Sequence, residues 1–405
     1  MSNYTEIIEF IRNQFPSKDF IPLHEPNFNG NEKSYVLETI NSTFVSSVGA
    51  YVDKFELMMA ELTKTQKAVA VVNGTSALQV ALRLSGVGSG DEVLTQALTF
   101  IATINAIIYN GASPVFLDVD LDTMGLSPNA VNSFLEDNGE MREGVCYNKK
   151  TNKKIAACMP MHTFGFPVHL DELIAVCNKW NIPIVEDAAE SIGSEYKGMP
   201  TGSFGKLGVF SFNGNKIVTS GGGGAIVTND IQLAMKAKHL TTTAKVPHPY
   251  EYVHDEIGYN FRMPNLNAAL ACAQLEQLET FITPTRQALI DGAIYSEPRL
   301  KEIIAKHKPD VIVEDNVVCF PATVTAGVPF VRVVSCNPLE ILGENIAPPF
   351  SGLAENDPAS WISYNQAYEK SQRPMWEKFN AWVVSQGAPA LPDLDFIHTS
   401  KDLNM

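Results

Sequence analysis

Cysteine is scarce in this sequence, and its spacing is not that of a metal site or a disulfide framework. The 405 residues include six cysteines, none of them in a Cys-x-x-Cys arrangement. A zinc ribbon or a network of disulfides is therefore not indicated, and we expect no structural metal. Reduced thiols in a cytoplasmic protein are the simplest interpretation.

Basic residues are outnumbered, and long apolar runs are missing. Lysine and arginine total 30 against 45 acidic residues, which gives a formal net charge of -15. Such a surface is a poor match for nucleic acid or an anionic membrane, although a local basic pocket for a phosphorylated substrate stays compatible with it. No uncharged run approaches the roughly 20 residues of a membrane helix. The first 15 residues include Glu6 and Glu9 and lack the apolar core of a signal peptide.

The sequence does contain short apolar segments that alternate with helical ones, and its length allows two or three domains. Strands are predicted at residues 68–72, 92–95, 114–118, 155–159 and 183–187, and helices at 1–16, 32–43, 51–62, 77–84, 100–109, 170–180, 231–239 and 266–278. This order implies right-handed crossovers and an α/β fold whose mostly parallel sheet is covered by helices on both faces. Ligands of such sheets bind at the carboxyl ends of the strands.

One lysine stands between two apolar segments. Lys216 follows Phe210-Ser211-Phe212 and precedes four glycines, Gly221 to Gly224. A lysine in such a turn has a fixed stem, a partly desolvated amine and room for a flat cofactor, which are the requirements of a Schiff-base lysine. The alternative is a solvated lysine on a hairpin.

An aspartate closes one of the predicted strands. Asp187 ends the apolar segment 183–187, so we expect it to be partly buried. A buried carboxylate needs a partner, and a pyridinium nitrogen is a suitable one because the ionised carboxylate keeps the ring protonated. The alternative is an aspartate that caps the following helix.

A second strand end has the composition of a phosphate site. The turn Asn73-Gly74-Thr75-Ser76-Ala77 lies between a strand and a helix, with Thr75 or Ser76 as the expected N-cap. Free amides at a helix start bind phosphate. Ser211, five residues before Lys216, has a hydroxyl that can join this cup. An ordinary turn and a hydrogen-bonded strand serine are the alternatives.

Two further side chains are candidates on position alone. Phe100 begins a helix after a strand and can stack on a flat ring, or belong to the core. His162 follows the strand at 155–159 and can line the substrate side, or be a hydrogen-bonded structural histidine.

Together and in order, these features resemble the DegT-type sugar-nucleotide aminotransferases, a fold-type-I family that uses pyridoxal phosphate. The resemblance runs from about Ile21 to Phe281. Its motifs are Asn73-Gly74-Thr75-Ser76-Ala77-Leu78, Glu186-Asp187-Ala188-Ala189-Glu190-Ser191, Phe210-Ser211-Phe212 with Lys216, Gly223 to Thr228, and Gly258-Tyr259-Asn260-Phe261-Arg262. Residues 22–26 and 44–49 are similar to the branch of legionaminic-acid and bacillosamine-type pathways.

The resemblance implies a role for each candidate and a homodimer with shared sites. Lys216 would bind the cofactor covalently, Asp187 would pair with the ring nitrogen, Phe100 would stack on the ring, and Gly74, Thr75, Ser76 and Ser211 would hold the phosphate. Glu190 would lie near the ring's phenolic oxygen, Asn260 or Arg262 would reach the neighbouring subunit's phosphate, and His162 would lie on the substrate side.

The implied reaction moves an amino group from glutamate to a 4-keto-6-deoxy sugar on a nucleotide, in cell-surface polysaccharide or nonulosonic-acid-type sugar biosynthesis. The freed Lys216 would then shuttle the proton. Many relatives have an acidic residue where this chain has Gly222, which affects local loop contacts.

The last third of the chain has a different character. We predict a large domain at residues 1–283 and an atypical α/β tail at 284–405, with a helix at 300–304, strands at 310–315 and 329–335, and a proline-rich loop at 345–358. Residues 309–316 and 333–338 resemble part of the acceptor-side half of a GT-B glycosyltransferase. A chimera with impaired turnover, a glycosyltransferase-like tail and a divergent small domain are the alternatives.

Overall fold

The computed structural model describes residues 8–9, 12–13, 20–21, 25–282, 284–310, 312–314, 320–328, 330–332, 373–393 and 403–404. The helix predicted at residues 1–16 falls mostly outside these ranges, and its four described residues are helical. The proline-rich loop at 345–358 and the motif at 333–338 also lie outside the described residues.

The strands of the chain are β1 (Lys67–Val71), β2 (Glu92–Gln96), β3 (Ser113–Leu117), β4 (Gly139–Arg142), β5 (Val145–Asn148), β6 (Lys153–Cys158), β7 (Val185–Asp187), β8 (Glu195–Tyr196), β9 (Met199–Pro200), β10 (Leu207–Ser211), β11 (Gly224–Thr228), β12 (Ile312–Glu314), β13 (Phe330–Arg332) and β14 (Leu403–Asn404). All five strands predicted before residue 188 are present. The hairpin β4–β5 was not predicted.

The helices are α1 (Glu32–Ser42), α2 (Ala50–Leu62), α3 (Gly74–Leu84), α4 (Ile101–Tyr109), α5 (Pro128–Asn138), α6 (Leu170–Lys179), α7 (Ile231–Thr241), α8 (Asn265–Leu275), α9 (Leu278–Ile282), α10 (Pro284–His307), α11 (Pro321–Val324) and α12 (373–385). Within the described part of the chain, no helix combines the length and the apolar character needed to cross a bilayer.

Seven strands align side by side in the order β3, β2, β6, β7, β10, β11, β1. The pairs β3–β2, β2–β6 and β7–β10 are parallel, while β11 runs antiparallel to both β10 and β1. Two parallel bridges, Cys158 with Ile184 and Met161 with Asp187, connect β6 to β7. The prediction of an α/β fold with a mostly parallel sheet is confirmed.

Both faces of this sheet are covered by helices, as the alternating burial along β1 shows. Val69 packs into a cluster with Leu78 of α3, whereas its neighbour Ala70 packs into the opposite cluster with Phe55 of α2. All four side chains are at most 3% exposed. Because successive strand residues point to opposite faces, a strand buried on both sides is apolar throughout.

The first helix after β1 begins earlier than predicted. Neither Thr75 nor Ser76 is the N-cap of α3, because Asn73 takes that position and its Oδ1 accepts the Ser76 amide at 2.8 Å. Asparagine is as good an N-cap as serine. Helix α3 therefore starts at Gly74, and this shift moves Thr75 and Ser76 into its first turn.

The unpredicted helix α5 follows the same local rules. Ser127 precedes it and accepts the Ala130 amide at 3.4 Å, while Pro128 occupies its first turn. Serine at the N-cap and proline at N1 are a common helix start.

The tail has its own apolar cluster. Ala293, Phe379, Val383, Ala388 and Leu391 form it, each at most 5% exposed. The helix predicted at 300–304 lies inside α10, and the two predicted strands are present in part as β12 and β13, which pair in parallel.

Candidate active site

The candidate residues meet where β7 and β10 end. These parallel strands pair Val209 with Asp187, so Ser211 lies two residues further along the same edge. The Asp187 amide donates to Pro160 at 2.9 Å and its carbonyl accepts the His162 amide at 3.1 Å, which joins β7 to the segment after β6. The carboxyl ends of the central strands therefore form one continuous edge.

Asp187 is buried in this edge, with 3% of its surface exposed. Its Oδ2 accepts the hydroxyl of Thr103 at 2.7 Å, and its Oδ1 accepts the Ala189 amide at 3.2 Å. Burial raises the pKa of the carboxyl, while these two bonds and the charge of Lys216 oppose that rise. No helix follows β7 directly, so Asp187 is not a helix cap.

Both described hydrogen-bond partners of Asp187 are uncharged groups, a hydroxyl and an amide. A buried carboxylate without a cation in contact is costly. A protonated ring nitrogen would supply that cation, and the environment of Asp187 fits such a partner.

Lys216 lies in a turn whose stem is fixed by the backbone. Its amide donates to the carbonyl of Asn213 at 3.0 Å, and Val218, two residues further on, is fully buried. The side chain is 14% exposed, and its Nζ lies 3.0 Å from Oε1 of Glu190. The alternative of a solvated hairpin lysine does not describe this position. Lys216 lines two adjoining cavities, and Glu190 lines one of them.

The start of α3 forms a cup against β10 and β11. The first amides of a helix have no intrahelical acceptor, so those of Gly74 and Thr75 can bind an anion such as phosphate. A Cβ on Gly74 would lie 2.8 Å from Cβ of Ser211, and one on Gly224 would lie 2.6 Å from the carbonyl of Asn73. Two glycines thus allow Ser211 and β11 to approach the helix start closely.

Replacing Gly74 by alanine tests this cup. The added methyl group forces the helix start away from Ser211, because the nearest atom, Cβ of Ser211 at 2.8 Å, is bonded directly to the backbone of β10. We expect a stability loss of about 1–3 kcal/mol and weaker binding of inorganic phosphate. Urea unfolding and phosphate titration measure the two effects. Gly88→Ala is the control, since its Cβ would meet nothing closer than 3.9 Å; equal behaviour of the two variants would contradict the cup.

Phe100 lies on the surface and not in the core, at the start of the helix that contains Thr103. Its side chain is 64% exposed at the N-cap of α4. An exposed aromatic ring at a strand–helix junction is available to stack on a planar ligand.

His162 does not reach the substrate side. It is fully buried, and the Val168 amide donates to its Nδ1 at 3.3 Å. Its Nε2 therefore carries the proton and donates to Glu186 at 3.1 Å. Of the two alternatives for this residue, the structure supports the structural histidine, because both ring nitrogens are occupied within the chain.

Glu186 is a buried residue that the motif contained and the sequence reasoning did not interpret. Its carboxylate also accepts the amides of Gly202, Phe204 and Gly205 at 2.6–2.8 Å. Together with the bond from His162, these donors hold the carboxylate in one orientation. Glu186 fixes the loop before β10 to the strand that ends in Asp187.

Glu190, Asn260 and Arg262 occupy the rim of the site or its neighbourhood. Glu190 contacts Lys216 and also accepts the Phe164 amide at 3.1 Å. Arg262 bridges to Val71 at the end of β1, and its Nε donates to Oδ1 of the exposed Asn260 at 3.0 Å. Lys216, Glu190, Asp187 and Ser211 are thus brought together, with Asn260 and Arg262 on the outer side of β1.

The residues present fit pyridoxal phosphate. A lysine amine, a buried carboxylate, an exposed aromatic ring and a helix start with hydroxyls match its aldehyde, ring nitrogen, ring face and phosphate. Thr103 completes this set and was missed. The sequence feature that could have identified Thr103 is its position three residues after Phe100, on a face of α4 that is otherwise apolar.

Comparison with known proteins agrees with this chemistry. The family model of the DegT/DnrJ/EryC1/StrS aminotransferases matches residues 26–326, so the match continues past Phe281, where the predicted resemblance ended. The likeness of the tail to a glycosyltransferase has no support in these comparisons.

Individual relatives cover most of the chain. A GDP-perosamine synthase from Escherichia coli O157:H7 is 40% identical over 71% of this chain and 74% of its own length. One from Caulobacter vibrioides is 34% identical over 83% and 88%, respectively. A Helicobacter pylori aminotransferase involved in pseudoaminic acid biosynthesis superposes with a TM-score of 0.59, at 26% identity over 69% of this chain and 70% of its own. This chain belongs to the DegT/DnrJ/EryC1/StrS aminotransferase family and is a pyridoxal-phosphate-dependent aminotransferase.

Proposed function

We propose that this chain transfers the amino group of glutamate to a nucleotide-linked 4-keto-6-deoxy sugar, in cell-surface polysaccharide or nonulosonic-acid-type sugar biosynthesis. The observation that carries the proposal is the Lys216 amine, held 3.0 Å from Glu190 at the edge where Asp187 is buried. Two relatives are named GDP-perosamine synthase, and a structural neighbour is described in pseudoaminic acid biosynthesis. These names support a sugar on a nucleotide carrier.

The chain's own groups divide the work. When bound, pyridoxal phosphate supplies an electron sink for the carbon that loses a proton. The Nζ of Lys216 binds the cofactor and, once free, moves the proton, while Oε1 of Glu190 steadies the protonated amine. Asp187 holds the proton on the ring nitrogen, and Phe100 orients the ring.

The cavities beside Lys216 leave room for the sugar. One is lined by Phe164, Glu190 and Ile217, and the other by Pro26, Ile217 and Phe281, among others. Phe164 is 76% exposed and Ile217 is 43% exposed, so both offer apolar surface. The methyl group of a 6-deoxy sugar is a suitable partner for that surface.

A single-turnover assay tests the amino donor. Purified protein loaded with pyridoxal phosphate and mixed with glutamate should release one equivalent of 2-oxoglutarate per active site, and then continue only when a keto sugar nucleotide is added. Aspartate and alanine are the comparison donors. No release of 2-oxoglutarate from well-folded, cofactor-loaded protein would contradict the proposal, and faster turnover of another donor would replace glutamate.

A homodimer with shared sites is part of the proposal. Asn260 and Arg262 form one hydrogen-bonded pair next to the end of β1, where they are available to a neighbouring subunit's phosphate. In a twofold-symmetric dimer each site would then combine Lys216 of one chain with Arg262 of the other.

Mixing two inactive variants tests this arrangement. Lys216→Ala and Arg262→Ala chains, unfolded together and refolded, should recover about a quarter of wild-type activity, because half of the dimers are mixed and each has one intact site. Lys216→Ala mixed with Asp187→Asn is the control, since both residues come from the same chain and no intact site forms. Recovery in neither mixture would place Arg262 outside a shared site.

The domain division at residue 283 and the cytoplasmic location are proposals as well. The tail cluster around Phe379 is separate from the three clusters of the main sheet, which supports a distinct unit after α9. The four described free cysteines are buried, and Cys158 hydrogen bonds to Cys177 without a disulfide. Reduced thiols support a reducing compartment.

A further inference from the structure

Thr103 makes the shortest described contact to Asp187. Its Oγ1 donates to Oδ2 of Asp187 at 2.7 Å, and the residue is completely buried in the first turn of α4. A short hydrogen bond from a hydroxyl to a carboxylate is among the stronger ones in proteins. In a dry surrounding it fixes the carboxylate in one orientation.

The hydroxyl of Thr103 is itself held in place. Thr99 Oγ1 lies 2.7 Å from Thr103 Oγ1, and it also contacts the sulfur of Met161 at 2.9 Å. Thr103 gives its only proton to Asp187, so its lone pairs face Thr99, whose single proton serves either Thr103 or the sulfur of Met161. Met161 also bridges to Asp187 through the backbone. The contact is therefore a built network and not a chance approach.

The same turn carries the predicted stacking residue. The Thr103 amide donates to the carbonyl of Phe100 at 3.1 Å. The backbone of Phe100 and the orientation of the Asp187 carboxylate are thus both held by one helical turn. A planar cofactor would contact the first on its face and the second at its ring nitrogen.

We infer that Thr103 is a positioning residue that aims the Asp187 carboxylate at the ring nitrogen of the cofactor. The inference rests on the proposed role of Asp187. Burial raises the pKa of Asp187, and the hydroxyl of Thr103 is the strongest of the groups that lower it again. The charged group that acts on Asp187 from a neighbouring segment is Lys216, which favours the ionised carboxylate, whereas Nδ1 of the nearby His162 accepts the Val168 amide.

Binding to the apoprotein separates this role from a structural one. Two cofactors are compared: pyridoxal phosphate and its 1-deaza analogue, in which carbon replaces the ring nitrogen. We expect Thr103→Val to weaken pyridoxal phosphate about 10- to 100-fold, the value of a hydrogen bond to a charged group, and to leave the analogue nearly unchanged. Thr103→Ser should restore the wild-type ratio of the two dissociation constants.

A buried threonine elsewhere in the sheet provides the matched control. Thr95 is fully buried, and its hydroxyl donates to the uncharged carbonyl of Met159 at 2.8 Å. Thr95→Val should therefore affect both cofactors alike. Equal weakening of both by Thr103→Val would overturn the inference.

Asp187→Asn, measured in parallel, separates the role of Thr103 from the role of Asp187. If it reduces the preference for pyridoxal phosphate over the analogue and Thr103→Val does not, only the role of Thr103 is wrong. If Asp187→Asn leaves that preference unchanged, the proposed role of Asp187 is wrong, and the inference about Thr103 is overturned with it.

Discussion

Lys216→Ala should lower the rate of amino transfer by at least about 10³-fold, because it removes both the covalent attachment of the cofactor and the base that moves the proton. Borohydride should fix the cofactor onto the peptide that contains Lys216 in the wild type, and onto no peptide in the variant. Mass spectrometry of the reduced protein and the 2-oxoglutarate assay measure the two effects. The ion pair with Glu190 is mostly buried, so its loss should cost some stability, which the remaining bond from the Phe164 amide to Glu190 limits.

Two further lysine variants show whether the amine or its charge matters. Lys216→Arg keeps a cation opposite Glu190 but forms no imine, so it should be as inactive as the alanine variant. Lys197→Ala removes an exposed lysine that is 2.8 Å from Asp171 and should keep wild-type activity. Substantial activity in Lys216→Arg would assign the lysine an electrostatic role and would contradict the proposal.

The site was predictable to the extent that its residues end strands. Asp187 and Ser211 each stand at the end of an apolar segment, and parallel strands of one sheet end at the same edge. The predicted strands and their ends are therefore enough to place the two residues near each other. The position of Lys216 depended further on the glycines that follow it. Its ion pair with Glu190 could not be predicted from the sequence, because that contact spans 26 positions.

The errors have local causes. The start of α3 was misplaced because asparagine, serine and threonine are nearly equal as N-caps, and only the close approach of β11 to Asn73 shows which is used. The sequence does not decide between the two roles of His162, because a histidine after a strand has the same sequence signature whether it faces a ligand or a buried carboxylate such as Glu186. Thr103 was missed since helical periodicity does not reveal a polar contact across 84 positions.

Asp187→Asn is expected to lower activity by about 10²- to 10³-fold or more, since a neutral amide does not hold a proton on the ring nitrogen. The fold should tolerate the change. The new amide oxygen can accept the Ala189 amide, and its NH₂ can donate to Thr103, whose hydroxyl then turns toward Thr99. The loss should therefore appear in the rate and in cofactor affinity, not in the content of folded protein.

The same substitution should also change how the stability of the apoprotein depends on pH, and the direction of that change follows from the pKa of Asp187. Burial raises the pKa of Asp187 in the folded apoprotein above its unfolded value, which is about 3.9 for an aspartate. Folding then favours the protonated acid, so the wild-type apoprotein loses stability as the pH rises through the raised pKa. The loss amounts to about 1.4 kcal/mol for each unit of pKa difference.

Asp187→Asn removes this ionisation, so the variant apoprotein should equal the wild type below about pH 4 and exceed it in stability at neutral pH. Urea unfolding of both apoproteins at a series of pH values measures the difference. Asp230→Asn is the control, because Asp230 is an exposed N-cap of α7 and asparagine caps equally well. A variant less stable than the wild type at neutral pH would show that Asp187 already has its charge satisfied without a cofactor.

Saturating pyridoxal phosphate should reverse the order of stability. The wild type gains the other cofactor contacts and also the attraction between the ionised carboxylate and the protonated ring. The variant gains only the other contacts. A residue that weakens the empty protein and strengthens the loaded one is retained for binding and not for folding. The order of stability of the two proteins should reverse with pyridoxal phosphate and stay the same with the 1-deaza analogue. This result would show that the stability lost by burying Asp187 serves the recognition of the ring nitrogen.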